Sequence, residues 1–284
     1  MKFSLFTKFG ALNSLPVFDA FAKGLQRHNQ IVVEHDMHAD VAVIWSVLWN
    51  GRMRPSQEVF KKFTETNRCV VVLEVGCLNR DLTWKIGING VNRNHFTWAN
   101  NNNRQYPAQL NLNDHAINGS DIVICTQNPL SEQWQGQPTV AKWLDNLIQK
   151  IRHYSDRSII VRAHPRVPVQ FNLANYKKVS VVKPGPLSND QMFVNAIKNT
   201  RFVINHNSNP AVIAAIQGIP VYVDATSMAW DISNKSLANI ETPDFTDKTQ
   251  WLENIKKSEY TIDEIKKADL FSHLLPYITA NCLR

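Results

Sequence analysis

Short apolar runs alternate with longer amphipathic segments along the first third of the chain. Strands are predicted over 2–7, 31–34, 41–46 and 69–75. Helices are predicted over 17–28 and 55–66, where apolar residues recur every three or four positions. The strand from Cys69 to Val75 is rich in β-branched residues, which is typical of a parallel strand buried on both faces. This alternation predicts a parallel sheet with helices on both sides.

The pattern stops at residues 92–118, an asparagine-rich stretch that we expect to be a long loop, and it restarts after Gly119. Strands are predicted there over 121–125, 158–162, 178–182, 201–205 and 219–223, and helices over 139–153, 189–198, 210–217, 249–257 and 261–270. We therefore expect two α/β domains, 1–118 and 119–265. Residues 266–284 are expected to form a C-terminal helix that packs back on the first domain.

Composition narrows the class of protein. The 284 residues suit two domains, and 44% hydrophobic with 19% charged residues suit a packed core. No stretch approaches the ~20 apolar residues that span a membrane. The four cysteines show neither CxxC pairs nor metal-ligand spacing, so we expect reduced thiols in a cytoplasmic protein. The net charge of +7 favours an anionic partner such as a nucleotide diphosphate or DNA.

The segment from Arg201 to Asp224, RFVINHNSNPAVIAAIQGIPVYVD, has the features of a complete βαβ unit. Pro210 suits the first helical turn, and Gly218 suits the exit from the helix. The loop 206–209 then lies at the carboxyl end of a strand and the amino end of a helix. Free N–H groups at such a place favour a phosphate. The alternative is that Asn207, Ser208 and Asn209 only cap the helix.

A second strand, Ile159 to Arg162, also delivers polar residues to its carboxyl end. Arg162 and Arg166 have the fork geometry that binds phosphate oxygens. His164 between them is a candidate to donate a proton to a leaving diphosphate. Gln127, in the sequence CTQNP after the strand 121–125, occupies the corresponding position on a third strand.

RAHPR, followed about forty residues later by NHNSNPAVIAAIQGIPVYVD, resembles the donor-binding domain of GT-B glycosyltransferases. The resemblance is to the group that includes capsule-polysaccharide and phage-encoded transferases. It implies an α/β fold of two Rossmann-like domains with parallel sheets and a cleft between them. It also implies a nucleotide-sugar donor, expected to be UDP-linked, as substrate and no further cofactor.

The same resemblance assigns roles to residues of the second half. It assigns the donor diphosphate to Arg162, His164, Asn207, Ser208 and Asn209, and it places the turn from Lys183 to Ser188 near the nucleobase. No Asp-x-Asp motif occurs, which fits a metal-independent mode in which basic groups stabilise the leaving diphosphate. Many relatives carry a Glu in the helix of the second motif, whereas this chain has Ala214 and Ala215 there. This departure leaves the donor's identity open.

The first half is then expected to bind the acceptor. Candidate contacts follow its strands: Asn13, Trp45, Arg52, Arg54 and Lys85. Glu74 ends a hydrophobic strand and is the leading candidate for general base. The alternative for Glu74 is a structural pair with Arg80. The segment Glu34 to Asp40 holds acids and histidines, but we interpret it as a polar connection, and we expect no metal site.

The segment 93–106 mixes basic, amide and aromatic side chains, among them Arg93, Trp98 and Arg104. Such a mixture can contact phosphates and stack on an extruded base. The chain also resembles phage-encoded enzymes that glycosylate hydroxymethylcytosine. The hypothesis is therefore transfer of glucose or a pentose such as arabinose to hydroxymethylcytosine in double-stranded DNA, by a monomer in the host cytoplasm with no membrane partner. Alternatives are a cell-surface polysaccharide transferase, a nucleotide-sugar epimerase and a non-catalytic DNA-binding protein.

Overall fold

The computed structural model describes residues 1–80, 82–100, 104–115, 119–185, 189–267 and 269–282. Its strands are β1 (Lys2–Leu5), β2 (Ile31–Glu34), β3 (Val41–Trp45), β4 (Cys69–Val75), β5 (Trp84–Ile88), β6 (Asp121–Cys125), β7 (Ile159–Arg162), β8 (Val179–Val182), β9 (Thr200–Asn205), β10 (Val221–Tyr222) and β11 (Glu259–Tyr260). Its α-helices are α1 (Leu15–Arg27), α2 (Ser56–Glu65), α3 (Val140–Arg152), α4 (Asp190–Ala196), α5 (Pro210–Ile216), α6 (Thr249–Lys256), α7 (Ile262–Lys267) and α8 (Phe271–Cys282). No α-helix in these ranges is long and apolar enough to cross a membrane.

The chain divides into two compact units. Unit 1 comprises Met1–Gln109 and Glu253–Arg284, and unit 2 comprises Leu110–Leu252. The first division thus falls nine residues before the expected boundary at 118/119. The chain returns to unit 1 at 253 rather than at 266, because β11 pairs with β5 and α7 packs on α1. Asn101 to Asn103 and Ala116 to Asn118, which we expected in a loop, lie outside the described residues.

Unit 1 contains a six-stranded sheet in the order β11-β5-β4-β3-β1-β2. Strands β1 to β4 are parallel, as the sequence pattern predicts. Strand β5, which the sequence pattern does not predict, runs antiparallel to β4, and β11 runs antiparallel to β5, so the sheet has an antiparallel edge beside its parallel strands. Residues 76–83 form a connection too short for a parallel crossover, which needs a dozen or more residues.

The core of unit 1 depends on one close approach between helices. Phe271 of α8 packs on Phe21 of α1 with ring centroids 5.0 Å apart. Gly24 of α1 makes room for that ring, because a Cβ atom at Gly24 would lie 2.2 Å from Phe271. The buried residues of α8 thereby join the core of unit 1.

A disulfide joins the start of β4 to the end of α8. Cys69 and Cys282 are bonded, with Cα atoms 5.4 Å apart and a sequence separation of 213. The expectation of four reduced thiols is therefore wrong for this pair. Sequence spacing carries no signal for it, because only the packing of α8 brings Cys282 to β4. Cys77 and Cys125 are free and buried.

Unit 2 contains a five-stranded, wholly parallel sheet in the order β10-β9-β6-β7-β8. Leu144, Ile148 and Ile151 of α3 are fully buried against it. Ala211, Ala214 and Ala215 make the buried face of α5. Because all five strands point the same way, their carboxyl ends share one edge, where ligands bind in sheets of this kind.

Candidate functional site

Three neighbouring strands of unit 2 are tied together just beyond their carboxyl ends. The N–H of His164, after β7, donates to Oγ1 of Thr126, after β6, over 2.9 Å. The N–H of Thr126 in turn donates to the carbonyl oxygen of Arg162 over 3.0 Å. These bonds fix the RAHPR segment against the end of β6.

The loop after β9 joins the same rim through Gln127. Its Oε1 accepts from the N–H of Asn207 over 3.1 Å, and its Nε2 donates to Oγ of Ser131 over 3.1 Å. Gln127 and Asn207 are both buried. Gln127 is a predicted donor contact, and in the structure one end of its amide supports the Asn207 loop while the other end is bonded to Ser131.

At the start of α5, the sequence predicts the position of Pro210 but not the residue that secures the preceding turn. Pro210 lies in the first turn, as expected, and Gly218 follows the helix with a φ of +84°. The side chain of Asn209 makes no capping hydrogen bond. Asn205 instead secures the turn, since its Nδ2 donates to the carbonyl oxygen of Ser208 over 2.7 Å and to the side-chain Oγ of Ser208 over 3.1 Å.

Two buried amide atoms of this rim have no hydrogen-bond partner among the described residues. They are Nδ2 of Asn128 and Oδ1 of Asn205. The two side chains are 4% and 2% exposed. A buried polar group without a partner costs about 1–3 kcal/mol. Proteins tolerate such a cost at functional sites more readily than in ordinary cores.

Basic side chains border the rim. Arg162 is half-buried, with its guanidinium carbon 4.9 Å above the centre of the Phe193 ring. Burial lowers the pKa of the Arg162 guanidinium from its ordinary value, although an arginine remains charged at neutral pH. Arg166 and Lys183 are exposed. Pro186, Leu187 and Ser188, predicted to lie near a nucleobase, are outside the described residues.

One hydrogen bond defines the state of the His164 ring. Its Nδ1 accepts from the N–H of Arg166 over 3.2 Å. In the neutral ring, the proton therefore resides on Nε2. This tautomer is the one that can donate a hydrogen bond from Nε2 to an anionic group.

Sequence reasoning missed Asp224, although it ends the βαβ motif. The N–H of Asp224 donates to the carbonyl oxygen of His206 over 2.9 Å, so the residue lies beside the β9 loop. Burial raises the pKa of its carboxyl, but hydrogen bonds from the hydroxyl and N–H of Thr226 outweigh that effect and bring the pKa below its ordinary value. The available signal was an acid placed directly after a strand of the motif.

In unit 1, Glu74 lies in β4 and is held by two donors. Ser46 Oγ donates to its Oε2 over 2.6 Å, and the N–H of Val75 approaches its Oε1 over 2.8 Å. The alternative expectation is a pair with Arg80; among the described residues, the side-chain hydrogen bonds to this carboxylate come from Ser46 and Val75. Ser46 follows β3 with a φ of +61°, a conformation that is costly for any residue with a Cβ.

Four of the predicted acceptor contacts have structural positions instead. Trp45 and Lys85 are 3% and 4% exposed. Trp98 is buried, donates from Nε1 to the carbonyl oxygen of Ile86 over 2.9 Å and stacks on Tyr260. Arg104 pairs with Glu264. These contacts correct the prediction that Trp98 and Arg104 lie on an acceptor surface, since the Trp98 ring is buried and the partly buried Arg104 is engaged by Glu264.

The other acceptor candidates are accessible. Asn13, Arg52 and Arg54 are exposed, and Arg93 is half-buried. The short 3-10 helices Thr7–Phe9 and Gly51–Met53 contact each other, so the loops after β1 and β3 are neighbours. The predicted acceptor-binding residues on these two loops, Asn13, Arg52 and Arg54, therefore lie on one edge of the unit 1 sheet.

The polar segment after β2 divides among separate partners. Nε2 of His35 accepts from the N–H of Lys8 over 3.3 Å, and Asp36 pairs with Lys2 over 3.2 Å. Within the described ranges, no group of three or more His, Cys, Asp or Glu side chains is placed to hold a metal ion.

Solved structures of sugar-processing proteins align with this chain. KpsC from Thermosulfurimonas dismutans, titled a beta Kdo 2,4 transferase, aligns with a TM-score of 0.50 and 11% identity over 98% of both chains. The beta Kdo 2,7 transferase of KpsC from the same organism aligns with a TM-score of 0.45 and 12% identity, over 98% of this chain and 100% of that chain. The UDP-GlcNAc 2-epimerase of Methanocaldococcus jannaschii aligns with a TM-score of 0.35 and 10% identity, over 98% of this chain and 100% of that chain.

The likeness to the first of these structures confirms the predicted class, an α/β fold of the GT-B type with parallel sheets. At such low identity the likeness concerns the fold alone. No model of a known protein family matches the chain. No curated protein matches it in sequence.

Proposed function

We propose that this protein is a glycosyltransferase that binds a nucleotide-activated sugar at the carboxyl edge of the unit 2 sheet. The observation that carries the proposal is the rim in which His164 is hydrogen-bonded to Thr126 and Asn207 to Gln127, so that the ends of β7 and β9 are both tied to the end of β6. Arg162 supplies a cation beside it. A rim of N–H groups and cations suits the phosphates of a sugar nucleotide.

The rim residues have distinct roles in this proposal. Arg162 and Arg166 bind phosphate oxygens, and the loop 206–209 offers backbone N–H groups to them. His164 donates from Nε2 to the phosphate that leaves with the nucleotide. The donor is proposed to be UDP-linked, and Lys183 contributes to its binding.

Glu74 is proposed as the general base that removes the proton of the acceptor hydroxyl. Its carboxylate is fixed by Ser46 at the end of β3. Fixed orientation supports catalysis because a base acts only within hydrogen-bond reach of the proton that it takes.

We propose hydroxymethylcytosine in DNA as the acceptor. The net charge of +7 and the exposed Arg52 and Arg54 support a polyanionic partner. The burial of Trp98 removes one support that the sequence offered. The remaining basic edge still fits a DNA backbone.

A transfer assay tests the proposal. Purified protein is incubated with UDP-, CMP- and GDP-linked sugars and with DNA containing either cytosine or hydroxymethylcytosine, and digested nucleosides are weighed by mass spectrometry. A mass gain confined to hydroxymethylcytosine is the expected result. Donor binding or hydrolysis without gain contradicts the DNA acceptor and points to a polysaccharide transferase. Interconversion of the free donor indicates an epimerase, and DNA binding without donor binding indicates a non-catalytic protein.

A further inference from the structure

Three charged side chains form a row across the antiparallel edge of the unit 1 sheet. Lys85 of β5 is directly opposite Glu74 of β4 and also directly opposite Glu259 of β11. Directly opposite residues of antiparallel strands point to the same face of the sheet, with Cβ atoms about 4.5–5.5 Å apart. The proposed general base is therefore one end of a row in which a lysine lies between two carboxylates.

The row is buried from its centre to its far end. Lys85 is 4% exposed and Glu259 is fully buried, whereas Glu74 is half-buried. An isolated charge is strongly disfavoured in a protein interior, so buried charges occur where a charge of opposite sign lies beside them. The strand register gives the Lys85 ammonium two such neighbours, one on each adjacent strand.

The far carboxylate, that of Glu259, is fixed by the loop 76–83. The N–H of Cys77 donates to its Oε1 over 2.5 Å, and the hydroxyl of Thr83 donates to its Oε2 over 2.7 Å. Burial raises the pKa of the Cys77 thiol well above its ordinary value, the charge of Glu259 raises it further, and the charge of Lys85 opposes that increase. Both charges therefore act on this loop, and Glu259 is a fixed anchor for the lysine.

The near carboxylate, that of Glu74, is held from one side by the hydrogen bond from Ser46, which follows β3. A carboxylate has about four lone-pair sites, so Glu74 can accept from a further donor. Strand β5 flanks β4 on the side opposite β3, and it places Lys85 there. An ammonium group carries three N–H donors and a full charge, so it restrains a carboxylate more strongly than a neutral donor does.

We infer that Lys85 is a positioning residue that holds the carboxylate of Glu74 in its reactive orientation, with Glu259 as its fixed anchor. The inference rests on the proposed function, because it takes Glu74 as the general base. Lys85 is too deeply buried to serve as the acceptor contact that the sequence suggests, and it acts through Glu74. The segment that returns to unit 1 at residue 253 thereby supplies part of the support of the base.

Transfer kinetics of Lys85 variants test this role. Lys85→Met removes the charge from a long side chain, and it is expected to lower kcat by about 10- to 100-fold, the effect of a small misplacement of a catalytic group. The affinity for nucleotide diphosphate, measured by calorimetry, should not change, because the proposed donor site is in unit 2. Lys85→Arg restores a cation and should recover most of the lost kcat. Lys61→Met removes an exposed lysine of α2 and is the control that should match the wild type.

A double variant separates positioning from stability. Lys85→Met leaves Glu259 as an uncompensated buried anion, so it is expected to lower the melting temperature. Addition of Glu259→Gln removes that anion, and the melting temperature should return toward the wild-type value while kcat stays low. If Lys85→Met does not fold, the double variant carries the same comparison with the wild type. Recovery of kcat together with stability would show that Lys85 has only a structural role, and it would overturn the inference.

Glu74→Gln distinguishes this failure from failure of the proposed function. If Glu74→Gln loses turnover while Lys85→Met keeps the wild-type kcat, the inference is wrong and the proposed base stands. If Glu74→Gln turns over at the wild-type rate, the proposed base and the inference are both wrong. If the wild type transfers no sugar, the proposed function is wrong and the inference fails with it.

Discussion

The hydroxyl of Ser46 donates to Oε2 of Glu74 over 2.6 Å from a backbone with a φ of +61°. This relationship fixes the carboxylate that we propose as general base. Glu74→Gln keeps the shape and removes the basic oxygen, so we expect kcat to fall by about 10²- to 10⁴-fold. Nucleotide affinity is expected to stay at the wild-type value. Steady-state transfer kinetics and calorimetry measure the two quantities.

Glu65→Gln is the matched control, because Glu65 is an exposed carboxylate at the end of α2. It should leave both quantities unchanged. Ser46→Ala should lower kcat by less than Glu74→Gln, since the base remains but loses one of its donors. Wild-type turnover in Glu74→Gln would remove Glu74 from the mechanism.

Arg162 should contribute directly to nucleotide binding. A hydrogen bond to a charged group is worth about 1.5–3 kcal/mol, so Arg162→Ala should weaken binding by about 10- to 150-fold. The nucleotide affinity of Arg162→Lys should lie between those of the wild type and Arg162→Ala, because a lysine keeps the charge without the planar fork. Titration of nucleotide diphosphate measures the affinities, and Lys150→Ala on the exposed face of α3 is the control. Equal affinities for Arg162→Ala and Lys150→Ala would show that phosphate is bound elsewhere.

The bond between Cys69 and Cys282 predicts a specific thiol count. The denatured, unreduced protein should react with two equivalents of thiol reagent, from Cys77 and Cys125, and with four after reduction. Cys282→Ser should lower the free energy of unfolding by about 2–5 kcal/mol, because the cross-link constrains the unfolded chain. Reductant should destabilise the wild type and leave Cys282→Ser unaffected. Four reactive thiols before reduction would contradict the pairing.

Glu241 should make part of the stability of unit 2 dependent on pH. Hydrogen bonds from Arg157, then from Ser155, hold its pKa below the ordinary value of 4.5. A lowered pKa in the folded state adds stability above pH 4.5, and that stability is lost as the pH falls through the folded-state pKa. Because the side chain is 41% exposed, Glu241→Gln should cost about 1 kcal/mol or less at pH 7.

That cost should shrink toward zero as the pH falls below 4.5 in denaturant titrations of Glu241→Gln. Glu253→Gln, which alters an exposed pair with Lys256, is the comparison and should show a smaller effect at pH 7. A cost that grows as the pH falls would reverse the assigned sign of the linkage.

The sequence predicts most strands of both units because buried parallel strands are continuous apolar runs. It misses β5 and β11, since Trp84-Lys85 and Glu259-Tyr260 mix polar and apolar residues. These segments become strands through long-range pairing, β5 with β4 and β11 with β5. Strand ends carry the predicted site residues, so topology brings Gln127, His164 and Asn207 together.

The sequence fails where burial decides the role. Trp98 and Arg104 have the composition of a ligand surface, but Tyr260, which is 155 residues or more away in sequence, contacts both side chains. The bond between Cys69 and Cys282 is missed for the same reason, because its two cysteines are also distant in sequence. Each of these contacts depends on the return of the chain to unit 1, which no local pattern encodes.

Hydrogen–deuterium exchange with and without saturating UDP-sugar tests the donor site most directly. We predict slower exchange in peptides that cover 126–128, 163–166 and 206–209, with smaller changes in the rest of unit 2. Arg162→Ala should reduce this protection at the same ligand concentration, in proportion to its weaker affinity. Tight binding of the nucleotide sugar with unchanged exchange in all three segments would contradict the account.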